Sequence, residues 1–161
     1  MNLAWTKGLF SYQTKLIENG DEVGFVQYDP WSEKVAAQLY GKGYKFERKG
    51  LFSSTMLIKN PKDNTVIGSI DKNIWNSVST ISIDSNKATF KTRNFWSTKW
   101  SVKLNDDEVN YHGNSSKGSI TINGKIDPVY VLSGLFSVTY HLRTAGIVAI
   151  FVAVVVSVSN M

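Results

Sequence analysis

The segment 85–105 has the residue types of an anion-binding site. It carries five cations and no carboxylate. Lysine and arginine side chains bind phosphate and carboxylate groups through charge-assisted hydrogen bonds. We therefore predict that an anionic lipid headgroup binds the five cations of this segment, which are Lys87, Lys91, Arg93, Lys99 and Lys103.

A β-hairpin would bring these cations together. If strands 88–92 and 98–104 pair with their apolar residues on one face, the lysines lie on the other, in two directly opposed pairs, Lys91 with Lys99 and Lys87 with Lys103. Like charges that face each other destabilise a strand pair by a few tenths of a kcal/mol, and a bound anion would offset this repulsion. The alternative interpretation is that these lysines are solvated and protect the sheet against edge pairing.

Aromatic residues are also frequent near these cations. Phe95 and Trp96 lie at the turn of the predicted hairpin, where aromatic side chains can enter a membrane interface. Tryptophans between basic residues also suit base stacking on single-stranded nucleic acid. Trp100 falls on the inward-facing side of its strand pattern, however, so core packing is the favoured explanation and nucleic acid is disfavoured as a partner.

The remaining polar residues do not form a recognisable catalytic or metal-binding pattern. The chain has no cysteine, and its two histidines, His112 and His141, have no further ligand at metal-binding spacing. The acidic run 106–108 lacks the spacing of a calcium loop, and no glycine-rich phosphate loop is present. We therefore expect a protein that is not an enzyme and that holds no cofactor and no metal.

The elements that position the predicted site read as short strands. Residues 79–83, 100–104 and 119–122 alternate between apolar and polar, and turn residues separate them from seven less regular candidates. Those seven cover 9–16, 23–28, 44–48, 54–59, 66–71, 88–92 and 109–112. This spacing predicts an antiparallel barrel or sandwich. One short helix is predicted at 30–40, because Asp29 and Pro30 suit the start of a helix.

The character of the chain changes at Asp127 and Pro128, which are favoured at the N-cap and first position of a helix. The uncharged run 129–142 follows, and a helix that is apolar on all sides must be buried in protein or lipid. We predict a central hydrophobic helix at 128–142, with His141 and Arg143 emerging at the far end of a barrel. A second apolar segment, 145–158, is shorter than the roughly 20 residues that span a bilayer, and its Val and Ile content suits a helix in lipid or a strand in the sheet.

A meander of about a dozen strands followed by an apolar C-terminal helix resembles the tubby C-terminal-like superfamily, which includes the LURP-one-related proteins and the phospholipid scramblases. The local resemblance is carried by residues 125–132, Lys-Ile-Asp-Pro-Val-Tyr-Val-Leu, which look like the step from last strand to central helix. The resemblance implies a single domain over 1–161, mainly β, in which an antiparallel barrel of about 10–12 strands encloses the helix.

Three functions are consistent with these observations. The first is a non-catalytic tubby-like barrel that binds anionic lipid headgroups or a protein partner at a membrane surface, and the net charge of +5 favours such anionic partners. The second is a β domain with a C-terminal hydrophobic membrane anchor. The third is a lipocalin-like barrel for a small apolar ligand. We expect a monomer in the cytoplasm, associated with a membrane, because the N-terminus lacks the features of a signal peptide.

Overall fold

The computed structural model describes residues 1–73, 78–94 and 96–159, with side chains to Arg143. These residues form twelve strands and one helix. The strands are β1 (Asn2–Lys7), β2 (Gln13–Glu18), β3 (Asp21–Tyr28), β4 (Val35–Leu39), β5 (Lys42–Arg48), β6 (Thr55–Lys59), β7 (Val66–Lys72), β8 (Val78–Ile83), β9 (Asn86–Thr92), β10 (Lys99–Leu104), β11 (Asp107–Gly113) and β12 (Lys117–Asn123). Each strand pairs antiparallel with its neighbours in sequence, and β1 pairs with β12 to close the barrel. The predicted mainly β fold is confirmed.

Alternation of apolar and polar residues decides which face of each strand points inward. In β12, Ile120 and Ile122 are buried while the residues between and beside them are exposed, as expected for side chains that alternate across a sheet. The apolar residues that alternate along the predicted strands lie in the core or pack against it: Ile81, Ile83, Phe90, Trp100, Val102, Leu104, Ile120 and Ile122.

The helix α1 (Pro128–Ser159) begins at the barrel end where β12 stops and enters the interior. Its N-cap is Asp127, whose carboxylate accepts a hydrogen bond from the Val129 backbone N–H at 3.0 Å. Inside the barrel, Leu132, Leu135 and Val138 are fully buried. The predicted helix start and the predicted central helix are therefore both confirmed.

A close approach between α1 and the barrel wall occurs at Gly134. A Cβ atom placed there would meet the Tyr111 hydroxyl oxygen at 2.1 Å and a Val102 methyl at 2.7 Å. The same Tyr111 hydroxyl donates a hydrogen bond to the Val131 carbonyl oxygen at 2.9 Å. Glycine at this position lets the helix backbone lie against β10 and β11.

One local prediction was wrong, and one strand was not predicted. The short helix predicted at 30–40 is instead a turn followed by strand β4, because Val35, Ala37 and Leu39 alternate inward and pair with β3 and β5. The N-terminal residues, which had no predicted element, form β1, the strand that closes the barrel.

The segment 145–158 continues the backbone of α1 as one helix. Within the part of the chain whose side chains are described, no helix is long and apolar enough to cross a membrane.

Candidate functional site

The two ends of the barrel differ because alternate connections of an antiparallel meander lie at the same end. The connections after β1, β3, β5, β7, β9 and β11 share one end with the point where α1 leaves the barrel, and we call this end the helix-exit rim. Contacts fix the direction of α1. Asp127, before the helix, pairs with Lys42 at the opposite end, whereas Thr139, three turns later, hydrogen-bonds Tyr28 at the end of β3. The described part of the helix-exit rim consists of the loops after β1, β3, β5 and β9, the turn after β11, and the helix.

Large apolar side chains point into solvent from the loops of the helix-exit rim. Six described residues have large apolar side chains that are between 79% and 102% exposed, and all six lie in rim loops. They are Leu9, Phe10, Trp31, Leu51, Phe52 and Trp96. Single exposed apolar residues are normal on a soluble protein, but a group on one surface marks an interaction site.

Charge is also divided between the ends. The rim loops, the strand residues that adjoin them and Arg143 together carry nine cations and two carboxylates in the described chain. The cations are Lys7, Lys34, Arg48, Lys49, Lys72, Arg93, Lys99, Lys117 and Arg143, and the carboxylates are Asp29 and Glu33. At the opposite end the same count gives four cations and seven carboxylates, namely Glu18, Asp21, Asp63, Asp84, Asp106, Asp107 and Asp127. The apolar tips thus lie on the positive end of the barrel.

Long side chains at strand ends surround α1 where it leaves the barrel. The Tyr28 hydroxyl lies 2.7 Å from the Thr139 hydroxyl. Arg48 donates to the Tyr140 hydroxyl at 3.2 Å, and its Nε lies 3.5 Å from a Glu33 carboxylate oxygen. These contacts hold the helix turns around Thr139 and Tyr140 in the mouth of the barrel.

Lys72 completes this mouth from β7. Its Nζ lies 3.0 Å from the ring centroid of Tyr140 and 5.5 Å from that of Phe136. Burial, followed by repulsion from Arg48, lowers the pKa of Lys72 from its ordinary value to about 7. The cation–π contact with Tyr140 acts in the opposite direction, because a ring face stabilises the charged form. The mouth thus holds positive charge that is only partly balanced.

The five cations predicted to bind an anion lie on the outer face of β9 and β10 and in the loop between them. All five of these side chains are exposed. Their predicted pairing is wrong by two residues. Lys91 lies opposite Ser101, and Lys103 lies opposite Thr89. The structure pairs Val102 with Phe90, which still keeps both apolar residues inside, so polarity alone did not distinguish the two registers.

The observed register spreads the cations along the wall instead of stacking lysines. Across β9, β10, β11 and β12 one row runs Arg93, Lys99, His112, Ser119 and the next runs Lys91, Ser101, Asn110, Thr121. Arg93 and Lys99 adjoin the helix-exit rim, whereas Lys87 and Lys103 lie toward the opposite end. Trp96 is exposed at the rim, and Phe95 lies outside the described residues.

A long ion pair crosses this wall. The Arg93 guanidinium lies 3.9 Å from a Glu108 carboxylate oxygen, and the straight path between their strand positions passes over Ser101. Ser101 points outward beneath this path and is nevertheless fully buried. Its hydroxyl has no hydrogen-bond partner among the described residues.

The cations of the barrel mouth were not predicted as site residues, although Arg143 was predicted to emerge at this end. Lys7, Arg48, Lys72 and Arg143 are far apart in sequence, and of the four only Arg48 lies in a run of charged residues, 47–49. Their common signal is position, because the first three are the last residues of β1, β5 and β7 and Arg143 follows the buried part of α1. Recognising them requires the strand ends and the helix direction together.

No protein-family model, curated protein or solved structure matches this chain.

Proposed function

We propose that this protein is a non-catalytic barrel that docks on an anionic membrane surface through its helix-exit rim. The observation that carries the proposal is that all six of the strongly exposed large apolar side chains of the described chain surround the exit of α1 on the positive end. Aromatic and aliphatic tips enter the interfacial layer of a bilayer, while lysine and arginine contact the headgroups.

The magnitudes are sufficient for docking. Each cation near an anionic surface contributes about 1 kcal/mol, and full burial of one large apolar side chain contributes about 1.5–3 kcal/mol. The six tips alone supply about 9–18 kcal/mol, and the exposed rim cations add to this, so together they offset an association cost of about 4–15 kcal/mol. Of the five cations predicted from the sequence, Arg93 and Lys99 adjoin the rim and contact headgroups in this arrangement, whereas Lys87 and Lys103 face away from the membrane.

Insertion of α1 into lipid is the second candidate. The helix continues for 16 residues beyond Arg143 as one element, and its sequence there is uncharged. At about 1.5 Å per residue these extend ~24 Å, which is less than the ~30 Å hydrocarbon core. The continuation would thus act as an anchor within the bilayer, directly above the docked rim.

Two other interpretations are affected by the position of α1. A lipocalin-like ligand would have to displace this helix, whose side chains pack along the barrel axis. Membership of the tubby C-terminal-like superfamily stays a proposal, supported by the closed barrel of twelve described strands and the C-terminal helix inside it.

Vesicle sedimentation tests the docking proposal. The wild type is expected to bind vesicles that contain phosphatidylserine and to bind neutral phosphatidylcholine vesicles much more weakly. Replacing Phe10, Trp31 and Phe52 by serine should weaken binding by at least tenfold, because three apolar tips are lost. The matched control carries Tyr40→Ser and Val66→Ser, two exposed apolar residues at the opposite end. Equal binding by both variants would contradict docking through the rim.

The two candidates separate by salt and by truncation. Electrostatic docking weakens as salt rises, whereas a helix inserted in lipid stays bound. A chain that ends at Thr144 keeps every described core residue of α1. If this chain binds anionic vesicles as the full chain does, insertion of the continuation is refuted and docking through the rim is supported.

A further inference from the structure

A cavity of about 330 Å³ opens beside α1 on the helix-exit rim. The residues that line it include Lys7 at the end of β1, Leu9, Phe10 and Tyr12 in the following loop, and Tyr28 and Arg143. Its volume falls in the range of small-molecule sites, about 300–1,000 Å³. Apolar residues form the outer lip, and the two cations lie on the side of the barrel and helix.

The charge of this cavity is not balanced by the protein. Lys7 and Arg143 are the only charged groups among the described lining residues, and both are positive. Burial and then repulsion from Arg143 lower the pKa of Lys7. The Arg143 guanidinium carbon lies 5.4 Å from the ring centroid of Tyr28, so the aromatic face steadies the guanidinium without neutralising it. An anion between the two cations would remove their repulsion.

We propose that this cavity binds the phosphate of a phosphomonoester lipid headgroup, held between Lys7 and Arg143. The inference rests on the proposed membrane docking and names the lipid that the docked rim selects. Arginine binds two phosphate oxygens at once, and lysine adds a point charge. A phosphomonoester carries a charge of about −1.5 to −2 near pH 7, which matches two cations better than the single charge of a diester does. The acyl chains would leave past Leu9 and Phe10 into the bilayer.

Vesicle binding with two anionic lipids tests the site. Phosphatidylcholine vesicles would contain either phosphatidic acid, a phosphomonoester, or phosphatidylserine, a diester, at compositions adjusted to equal surface potential. The wild type is expected to bind phosphatidic acid vesicles roughly tenfold more tightly, equivalent to about 1.4 kcal/mol. Lys7→Gln and Arg143→Gln should each remove this preference. Their binding to phosphatidylserine vesicles should stay close to that of a control variant that lacks rim cations outside the cavity.

The matched control is Lys34→Gln with Lys117→Gln, which removes rim cations that do not line the cavity. This control should weaken both vesicle types and keep the preference. Thermal unfolding shows whether each variant is folded, and Lys7→Gln alone keeps α1 unchanged. Equal binding of the wild type to both vesicle types would overturn the phosphomonoester site and leave docking intact. A preference for phosphatidic acid that survives in both cavity variants would do the same. Absence of binding to either vesicle would overturn both proposals.

Discussion

Replacing Gly134 by alanine should destabilise the protein, although alanine favours helices. In an ordinary helix, glycine to alanine stabilises by about 0.5–1 kcal/mol. Here the new methyl group would lie 2.1 Å from the Tyr111 hydroxyl oxygen, whereas nonbonded atoms rest at about 3.5 Å. The phenol must therefore retreat by roughly 1 Å or more, or the helix must shift away from the wall.

Either movement has a calculable cost. Tyr111 is fully buried, and its hydroxyl donates to the Val131 carbonyl oxygen at 2.9 Å. Breaking that bond leaves a buried donor unsatisfied, at about 1–3 kcal/mol, and overpacking adds about 1–3 kcal/mol. After subtracting the gain in helix propensity of about 0.5–1 kcal/mol, we expect a loss of about 1–5 kcal/mol in the free energy of unfolding. For a chain of this length each kcal/mol lowers Tm by about 2–4 °C.

Urea unfolding monitored by tryptophan fluorescence measures this loss, because Trp5 and Trp100 are almost fully buried. Gly50→Ala is the matched control, since a Cβ at Gly50 has no neighbour within 4 Å, and it should be neutral or slightly stabilising. Adding Tyr111→Phe to Gly134→Ala should recover part of the loss, because it removes the oxygen that collides. The sign is decisive: a more stable Gly134→Ala variant would refute the position of α1 inside the barrel.

Two further predictions concern ionisable groups. Lys72→Met should stabilise the protein most below pH 7, because the low pKa of Lys72 means that the unfolded chain holds its proton more strongly. Wild-type stability then rises between about pH 7 and pH 10, by at most ~1.4 kcal/mol per pH unit. Urea unfolding at pH 6.5 and pH 9.5 should therefore show a smaller stability difference between Lys72→Met and the wild type at the higher pH. The same difference at both pH values would contradict a neutralised Lys72. Asp127→Ala should cost about 1 kcal/mol through the lost N-cap, and Asp127→Asn should cost less. Burial opposes ionisation of Asp127, but hydrogen bonds from Val129, Lys42 and Tyr44 outweigh it and lower its pKa, so the carboxylate's contribution is present above pH 3.8 and lost in more acidic urea titrations.

The inward pattern of the strands could be predicted because burial imposes it residue by residue. Ile120 and Ile122 needed only their alternation, and Asp127 and Pro128 needed only local capping chemistry. The pairing of β9 with β10 could not be obtained in this way. A shift of two residues keeps Phe90 and Trp100 inside, so both registers satisfy the same polarity pattern, and the neighbouring strands decide between them.

The helix prediction for 30–40 was wrong for a related reason. Asp29 and Pro30 do suit a helix start, and the Asp29 carboxylate does accept a backbone N–H two residues later, from Trp31. The same contact also forms in a turn. The alternation of Val35, Ala37 and Leu39 distinguishes the two outcomes. In a strand all three side chains point inward, and this strand pairs with a neighbour on each edge.

The candidate site depends on α1 in a way that no local pattern contains. The helix needs apolar residues on all sides to fill the barrel, and this leaves it without charge until His141 and Arg143 emerge, both exposed as predicted. Strand-end cations on long stems can then pack their methylene groups against the last buried turns and keep their charged ends near water. The Lys72 ammonium lies over the Tyr140 ring, and Arg48 donates to the Tyr140 hydroxyl. The same helix that builds the core therefore also gathers the positive charge of the mouth, which makes one end of the barrel suited to an anionic surface.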